Sequence, residues 1–166
     1  MTRTLTPAPL TAAAFAPYGE VIETAGEPDK WINEGRCARF NDLATLDIVE
    51  GRPGLSLFRS ESCTLPLTLS LMERHPAGSQ AFIPMTRAPF LVTVAPDEDG
   101  KPGTPLAFLT APGQGVNIGR NVWHGVLTPL SDPGLFAVID RIGGGANLQE
   151  HRFGKGWTIT ANRHEG

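Results

Sequence analysis

Residues Leu65–Pro84 of this 166-residue chain read Leu-Pro-Leu-Thr-Leu-Ser-Leu-Met-Glu-Arg-His-Pro-Ala-Gly-Ser-Gln-Ala-Phe-Ile-Pro. The leucines of Leu67–Leu71 alternate with Thr and Ser, which is the period of a strand buried on one face. The same alternation places Glu73 and His75 on the leucine face, so both are expected to point inward. A buried carboxylate is uncommon unless it is paired or bound to something. This strand therefore predicts a polar site at its end.

A Pro-Ala-Gly-Ser turn follows and leads into a second short strand, Gln80–Pro84. Gln80 and Phe82 share one face of that strand. Together with Glu73 and His75, Gln80 forms the polar mouth of an otherwise apolar wall. Taken alone, His75 is more simply explained as a core histidine bonded to a backbone carbonyl. Three polar groups that converge on one inward face favour a binding or catalytic site.

Composition limits the class of protein. Hydrophobic residues make up 40% of the chain and charged residues 19%, which is typical of a globular protein. The net charge of −3 gives no basic surface for nucleic acid, and no apolar run is long enough to span a membrane. Cys37 and Cys63 fit no metal or redox spacing. We expect one cytoplasmic domain over residues 1–166, and a small anionic molecule stays possible as its substrate.

The rest of the chain predicts a mainly β architecture, because its 19 Gly and 15 Pro favour short strands joined by tight turns. The strands expected after the opening stretch lie at 90–95, 106–109, 116–118, 122–127 and 134–141. Short helices are expected after Thr11 and after Asp42, both in the N-terminal part. We expect a barrel core over about 55–141 and a polar C-terminal tail over 147–166. His151 and His164 in that tail are expected to be solvated.

Two segments match the spacing of the two motifs of cupin barrels. The first motif is His-x-His, four residues and Glu, and the second is Gly, five residues, Pro-x-Gly, two residues and His. The residues at the first motif are Glu73, His75 and Gln80. The residues at the second motif are Gly113, Gly119, Asn121 and His124. The resemblance implies a cupin-type antiparallel β-barrel or jelly roll. It also makes Glu73, His75, Gln80 and His124 the candidate ligands of a divalent metal.

A longer match points to a family. Leu71–Met85 and Gly115–His124 closely resemble the ureidoglycolate lyase family, also called the ureidoglycolate hydrolase family, of the cupin superfamily. Phe15–Ile22 and Ile139–Arg141 also resemble it, so the match covers most of residues 10–142. The resemblance implies cleavage of (S)-ureidoglycolate to glyoxylate and urea in allantoin breakdown, with nickel as the associated metal. It also implies a homodimer, for which the N-terminal strand offers an edge.

The candidate residues suit that reaction on chemical grounds. Ureidoglycolate carries a hydroxyl, a carboxylate and a ureido nitrogen on one carbon, and removal of the hydroxyl proton lets urea leave. Histidine is the side chain best suited to proton transfer near neutral pH. His75, His124 and Glu73 are therefore the candidate catalytic residues. A metal among the same residues would instead lower the pKa of the hydroxyl and hold the carboxylate.

Six residues are candidates for substrate binding: Gln80, Arg120, Asn33, Arg59, Phe82 and Trp123. An arginine can hold a carboxylate through two hydrogen bonds, although an exposed turn arginine such as Arg120 more often binds nothing. Glu73 can instead pair with a nearby arginine, and Gln80 can satisfy backbone groups at the turn. Trp123 is more often a packing residue than a substrate contact.

Two other functions fit a cupin barrel: another metal-dependent enzyme, such as an oxygenase, and a non-enzymatic module that binds a small ligand. The Glu73 and Gln80 replacements argue against a standard iron site. Ligand-sensing cupins are usually fused to a DNA-binding helix pair, and no segment here has that pattern or charge.

Overall fold

The structure is a computed structural model that describes residues 3–161. Its strands are β1 (Thr4–Leu5), β2 (Ala8–Pro9), β3 (Gly19–Ile22), β4 (Lys30–Ile32), β5 (Cys37–Arg39), β6 (Arg52–Ser60), β7 (Leu67–Arg74), β8 (Gln80–Pro84), β9 (Phe90–Ala95), β10 (Asp97–Glu98), β11 (Lys101–Pro102), β12 (Leu106–Leu109), β13 (Gly115–Ile118), β14 (Trp123–His124), β15 (Thr128–Pro129), β16 (Gly134–Ile142) and β17 (Gln149–Ile159). The one helix within residues 3–161 is α1 (Ala12–Phe15).

Two sheets carry most of these strands. The first has the order β1-β17-β7-β14-β9-β12-β2, with β15 also paired to β9. The second has the order β3-β13-β8-β16-β6. The chain is therefore mainly β, as the sequence predicted, and its two sheets have the character of a β-barrel or jelly roll. None of the described helices is long and apolar enough to cross a membrane.

The N-terminal segment connects the two ends of the first sheet. β1 pairs in parallel with β17, and β2, three residues further on, pairs in parallel with β12. This pairing curls the first sheet into a nearly closed wall, which leaves few free edges. The pairing with β17 also occupies one edge of β1, the N-terminal strand that was expected to offer an edge to a second copy of the chain.

The main core lies between the inner faces of the two sheets. Phe136 and Val138 on β16 are buried, whereas the alternate Ala137 is half-buried. Across the core, Phe90 and Val94 on β9 belong to the same cluster, and the Phe90 and Phe136 rings meet edge to face at 4.9 Å. Strict alternation thus puts one face of each strand into this core.

A second apolar cluster contains Leu69, Met72, Trp123 and Ile159. Leu69, one of the leucines in the opening stretch, is 7% exposed and belongs to this second cluster, not to the one between the sheets. β17 is an eleven-residue strand, so most of the segment expected to be a polar tail is part of the sheet. Its half-buried Trp157 and Phe153 pack on this cluster and hold it there. His164 lies outside the described residues.

The second expected helix, after Asp42, does not form. Thr45 instead donates its N–H to the Glu20 carboxylate and accepts at its carbonyl from Asn117. Asp47 donates its N–H to the Ser79 hydroxyl at 3.0 Å. Contacts with distant strands satisfy these backbone groups, so they override the local helix signal.

The core packing gives a stability prediction. Phe136 is 3% exposed, so Phe136→Ala should lower the free energy of unfolding by about 3–5 kcal/mol through the cavity it leaves. Leu106, which is 43% exposed, is the matched control, and Leu106→Ala should cost less than about 1 kcal/mol. Urea denaturation at equal protein concentration measures both. Equal losses in the two variants would contradict the assignment of the core.

Candidate active site

Strand pairing brings Glu73 and His124 together. His124 on β14 lies directly opposite Glu73 on β7 and opposite the buried Val94 on β9, so all three side chains share the inner face of the first sheet. His75 follows the end of β7, and its carbonyl accepts the N–H of Asn121, in the turn before β14, at 2.9 Å. The ligand atoms of Glu73, His75 and His124 all lie within 4.8 Å of one another. The two imidazole rings are 5.3 Å apart.

Both imidazoles are held by their Nδ1 atoms. His75 Nδ1 lies 2.8 Å from the Asn147 carbonyl, and His124 Nδ1 lies 3.0 Å from the Gly125 carbonyl. A carbonyl oxygen only accepts, so each Nδ1 carries a hydrogen, and in the neutral ring Nε2 then carries a lone pair. Both Nε2 atoms are buried and have no hydrogen-bond partner among residues 3–161. Two lone pairs are therefore available to a cation or to a proton donor.

Burial sets the charge of these groups. His124 is 1% exposed, and loss of solvation lowers its pKa to about 4; the hydrogen bond to Gly125 opposes this shift and the nearby His75 adds to it. His124 is consequently neutral at pH 7. Burial also raises the pKa of Glu73, a shift that His75 opposes and Glu150 reinforces. A carboxyl group with a raised pKa beside the neutral imidazole of His124 forms a site suited to proton transfer.

Gln80 lies on the inner face of the second sheet and is oriented by an acid. Its Nε2 donates to Asp140 Oδ2 at 3.1 Å, which fixes Oε1 at the other end of the amide. Oε1 is buried without a hydrogen-bond partner in the part of the chain described. Asp140 was not among the sequence candidates, although it lies within the Ile139–Arg141 match.

Asn147 is the other contact that sequence reasoning missed. Its carbonyl accepts from His75, and its Oδ1 accepts the backbone N–H of Ala77 at 2.7 Å. It therefore fixes both the ring of His75 and the turn that follows. Asn147 stands after a Gly-Gly-Gly run, at the start of the supposed tail, and no local pattern relates it to a residue 72 positions earlier.

Comparison with known proteins agrees with this geometry. The family model described as ureidoglycolate lyase matches residues 2–160. The chain belongs to the ureidoglycolate lyase family. A ureidoglycolate lyase of Rhodobacter capsulatus is 62% identical over 144 residues, covering 86% of this chain and 89% of that protein. Ureidoglycolate lyase 2 of Rhizobium meliloti is 54% identical over 153 residues, covering 91% and 94%. A ureidoglycolate lyase of Mesorhizobium japonicum is 50% identical over 161 residues, covering 96% and 98%.

In this member of the ureidoglycolate lyase family, Arg120 is fixed beside the site by its neighbours. Its Nε donates to Asp47 Oδ2 at 2.9 Å, and its Nη1 donates to the carbonyl of Pro76 at 3.2 Å. The guanidinium therefore lies against the residue that follows His75. Arg120 is exposed, as expected for an arginine in a turn, but it is also paired with Asp47.

The four other candidates lie in different parts of the fold. Asn33 is an exposed residue of the turn between β4 and β5, where its carbonyl accepts from Arg36. Arg59 is exposed on β6, the end strand of the second sheet. Phe82 is 5% exposed within the main core. Trp123 is 3% exposed and packs in the second apolar cluster, because neighbouring residues of a strand face opposite ways.

The donor set of this ureidoglycolate lyase family member fits a divalent metal. One carboxylate and two imidazole Nε2 atoms converge, and first-row divalent ions accept such ligands. The unpartnered Nε2 lone pairs are the observation behind this fit, because buried polar atoms are otherwise hydrogen-bonded. These three residues are accordingly a possible metal-binding triad.

The buried imidazole gives a pH prediction. The folded protein takes up a proton on His124 only near pH 4, whereas the unfolded chain does so near pH 6.5. The unfolded state is therefore favoured as the pH falls between these values, by about 3 kcal/mol in total. The free energy of unfolding of the wild type should fall by that much relative to His124→Gln. Urea titrations of both proteins in chelator measure it, and parallel pH curves would contradict it.

Proposed function

We propose that this chain is a carbon–nitrogen lyase that cleaves (S)-ureidoglycolate into glyoxylate and urea. The observation that carries the proposal is the convergence of Glu73, His75 and His124, whose ligand atoms lie within 4.8 Å of one another, with both imidazole Nε2 atoms buried and unpartnered among the described residues. Membership of the ureidoglycolate lyase family and the names of the relatives support the substrate. The two unpaired cysteines also suit a reducing cytoplasm.

The residues of the chain account for the bond changes. An imidazole Nε2 of His75 or His124 accepts the proton of the substrate hydroxyl, and the oxygen forms the carbonyl of glyoxylate. The carbon–nitrogen bond breaks in the same step, and the ureido nitrogen takes its pair of electrons. The imidazolium, or a protonated Glu73, returns a proton to that nitrogen, and urea leaves. No water molecule is consumed, and atoms and charge balance.

The remaining polar groups suit the rest of the substrate. A ureido group presents N–H donors, and the buried Oε1 of Gln80 is an acceptor without a partner in the described chain. We assign the substrate carboxylate to Arg120, since its guanidinium lies beside His75 and uses only Nε and Nη1 in the contacts above. We assign no substrate contact to the other four candidates, because of the positions described above: Asn33, Arg59, Phe82 and Trp123.

A metal has a defined place in this proposal. Glu73, His75 and His124 would hold a divalent ion, nickel by family resemblance, with Gln80 as the further ligand. In that case these four side chains would act as ligands in place of the proton-transfer and ureido-binding roles given above. Bound there, the ion would supply Lewis-acid chemistry, which would lower the pKa of the hydroxyl and neutralise the carboxylate.

The reaction prediction is that purified protein converts ureidoglycolate to glyoxylate and urea without ammonia. His75→Ala and His124→Ala should each lower turnover by about 10²–10⁴-fold, since each removes one positioned proton-transfer group. Coupled assays of glyoxylate, urea and ammonia, with and without chelator, measure all of this.

The controls isolate the site. Spontaneous breakdown of ureidoglycolate is subtracted first, because it gives the same products. Arg87→Ala, in the exposed loop between β8 and β9, should keep wild-type turnover. Ammonia that appears in step with substrate loss, or near-normal turnover in both folded histidine variants, would refute the proposal.

We also propose that the protein is a homodimer joined through the outer face of β6, β16 and β8. Antiparallel pairing aligns rows of side chains on this face, and those between Arg59 at one end and Arg141 at the other are apolar. The apolar residues facing outward there are Leu55, Leu57, Ile83, Met85, Leu135, Ala137 and Ile139. Leu55 is 71% exposed and Leu57 is 64% exposed. A solvated sheet face is normally polar, so this face fits a partner.

A second copy of the chain suits this surface. The charged residues on this face are Arg59 at one end and Arg141 at the other, so its centre is uncharged and can meet its own copy around a two-fold axis. Across three strands, the stretch from Leu55 to Arg59 spans about 14 by 17 Å. That is enough for the apolar centre of an interface that takes roughly 800 Å² from each partner with its rim.

The assembly prediction uses one surface charge. Leu57→Asp should give a folded monomer, because an exposed position tolerates the charge in one chain but not in an apolar interface. Sedimentation velocity at micromolar concentration should show twice the 17.7 kDa chain mass for the wild type and for the control Leu106→Asp. A monomeric wild type, or an unchanged dimer in Leu57→Asp, would rule this interface out.

A further inference from the structure

A compact polar cluster lies directly behind the candidate active site, on the outer face of the first sheet. Arg74 stands between Glu73 and His75 in the sequence, and Trp123 precedes His124. Because side chains alternate along a strand, Arg74 and Trp123 face away from the site. We call Arg74, Asp97 and Trp123 the outer-face cluster.

Its three members are joined by short contacts. The Arg74 guanidinium lies 4.4 Å from the centre of the Trp123 ring and donates to Asp97 Oδ1 at 2.6 Å. Trp123 Nε1 donates to the same oxygen at 2.8 Å. Arg74 Nε also donates to Gln149 on β17 at 2.7 Å. The Arg74 side chain is only 12% exposed, whereas that of Asp97 is 48% exposed. The stack of Arg74 on Trp123 is therefore shielded from solvent, and the contact with Asp97 is partly screened.

The backbone alone holds this part of the sheet poorly. β14 is two residues long, pairs with β7 only at His124–Glu73, and pairs with β9 at two positions. His75 lies beyond the last residue of β7. The distance between the site residues consequently depends on more than the strand ladder. The outer-face cluster links β7 to β14 at this point and ties both to Asp97, just after β9.

We propose that Arg74, Asp97 and Trp123 are positioning residues, which set the separation of His124 from Glu73 and His75 through a stack and hydrogen bonds on the opposite face of the sheet. None of the three touches the reacting atoms. Asp97 is suited to this role because the hydrogen bond from Trp123, followed by weaker contributions from Gly100 and Arg74, lowers its pKa against the opposing effect of desolvation. The carboxylate thus keeps its charge as an acceptor. This inference rests on the proposed function for its kinetic effects only.

Two conservative variants test the cluster. Trp123→Phe keeps a ring beneath Arg74 and removes the N–H bonded to Asp97. Arg74→Lys keeps the charge and removes the planar stack and the bond to Gln149. Each should lower kcat by about 10- to 100-fold while KM changes little, because misplaced groups lose transition-state contacts first. The double variant should lose about as much as either single one, since the residues act as a unit.

Leu91→Val is the matched control. Leu91 is 3% exposed on β9 and belongs to the second apolar cluster, which also contains Trp123. Its truncation therefore destabilises the same packing but removes neither the Arg74–Trp123 stack nor any hydrogen bond of the outer-face cluster. Urea denaturation ranks the stabilities of all variants. If kcat follows stability alone, so that Leu91→Val loses as much kcat as a cluster variant of equal stability, the positioning role is overturned.

A second measurement needs neither substrate nor metal. Nitrogen NMR of ¹⁵N-histidine-labelled apoprotein should show one set of ring signals for His75 and one for His124 in the wild type, each with protonated Nδ1. The cluster variants should broaden or split these signals, and Leu91→Val should not. Unchanged ring signals in both cluster variants would overturn the proposal. A wild type that leaves ureidoglycolate intact would overturn the proposed function instead, and the NMR result would still decide the cluster.

Discussion

The pairing of His124 with Glu73 is the contact on which the candidate site depends. A shift of one residue between β14 and β7 would turn His124 outward and Trp123 inward. The apolar surface of Trp123 opposes that shift, because its ring is buried on the outer face of the sheet. Burial of Trp123 on the outer face thus places His124 on the inner face. The hydrophobic effect, which has no chemical role in the site, fixes its register.

That placement has an energetic cost. His75 and His124 each keep an Nε2 atom buried without a partner among residues 3–161, and an unsatisfied buried group costs about 1–3 kcal/mol. Stable folds leave such groups mainly where function needs them. The tightly packed core between the sheets, with Val94 and Val138 fully buried, offsets this cost. The same lack of partners leaves both lone pairs free for a ligand.

Glu73 and His124 could be predicted from the sequence, whereas Asn147 could not. Motif spacing identified Glu73 and His124 together. Alternation along β7 holds from Met72 to Arg74 but not back to the leucines, because Leu69 packs with Met72 in the second apolar cluster. The same alternation, continued one residue back from His124, would have assigned Trp123 to the opposite face. Asn147 had no such signal, because it meets His75 only through the path of the chain after β16. Local periodicity predicts which way a side chain points, but only the fold tells which distant residue it meets.

β17, whose sequence gave no strand signal, borders the candidate site on the side that is open to solvent. β17 reads as a polar tail because Glu150 and Arg152, which alternate with His151, are exposed. Glu150 lies directly opposite Glu73, on the same face of the sheet. Solvent therefore reaches the site over β17, which explains why Glu73 is half-buried while His124 is enclosed. An apolar β17 would have given a stronger strand signal in the sequence. It would also have closed the site to solvent. The polar residues of β17 gave no strand signal in the sequence. The same residues leave the site accessible to a small charged molecule.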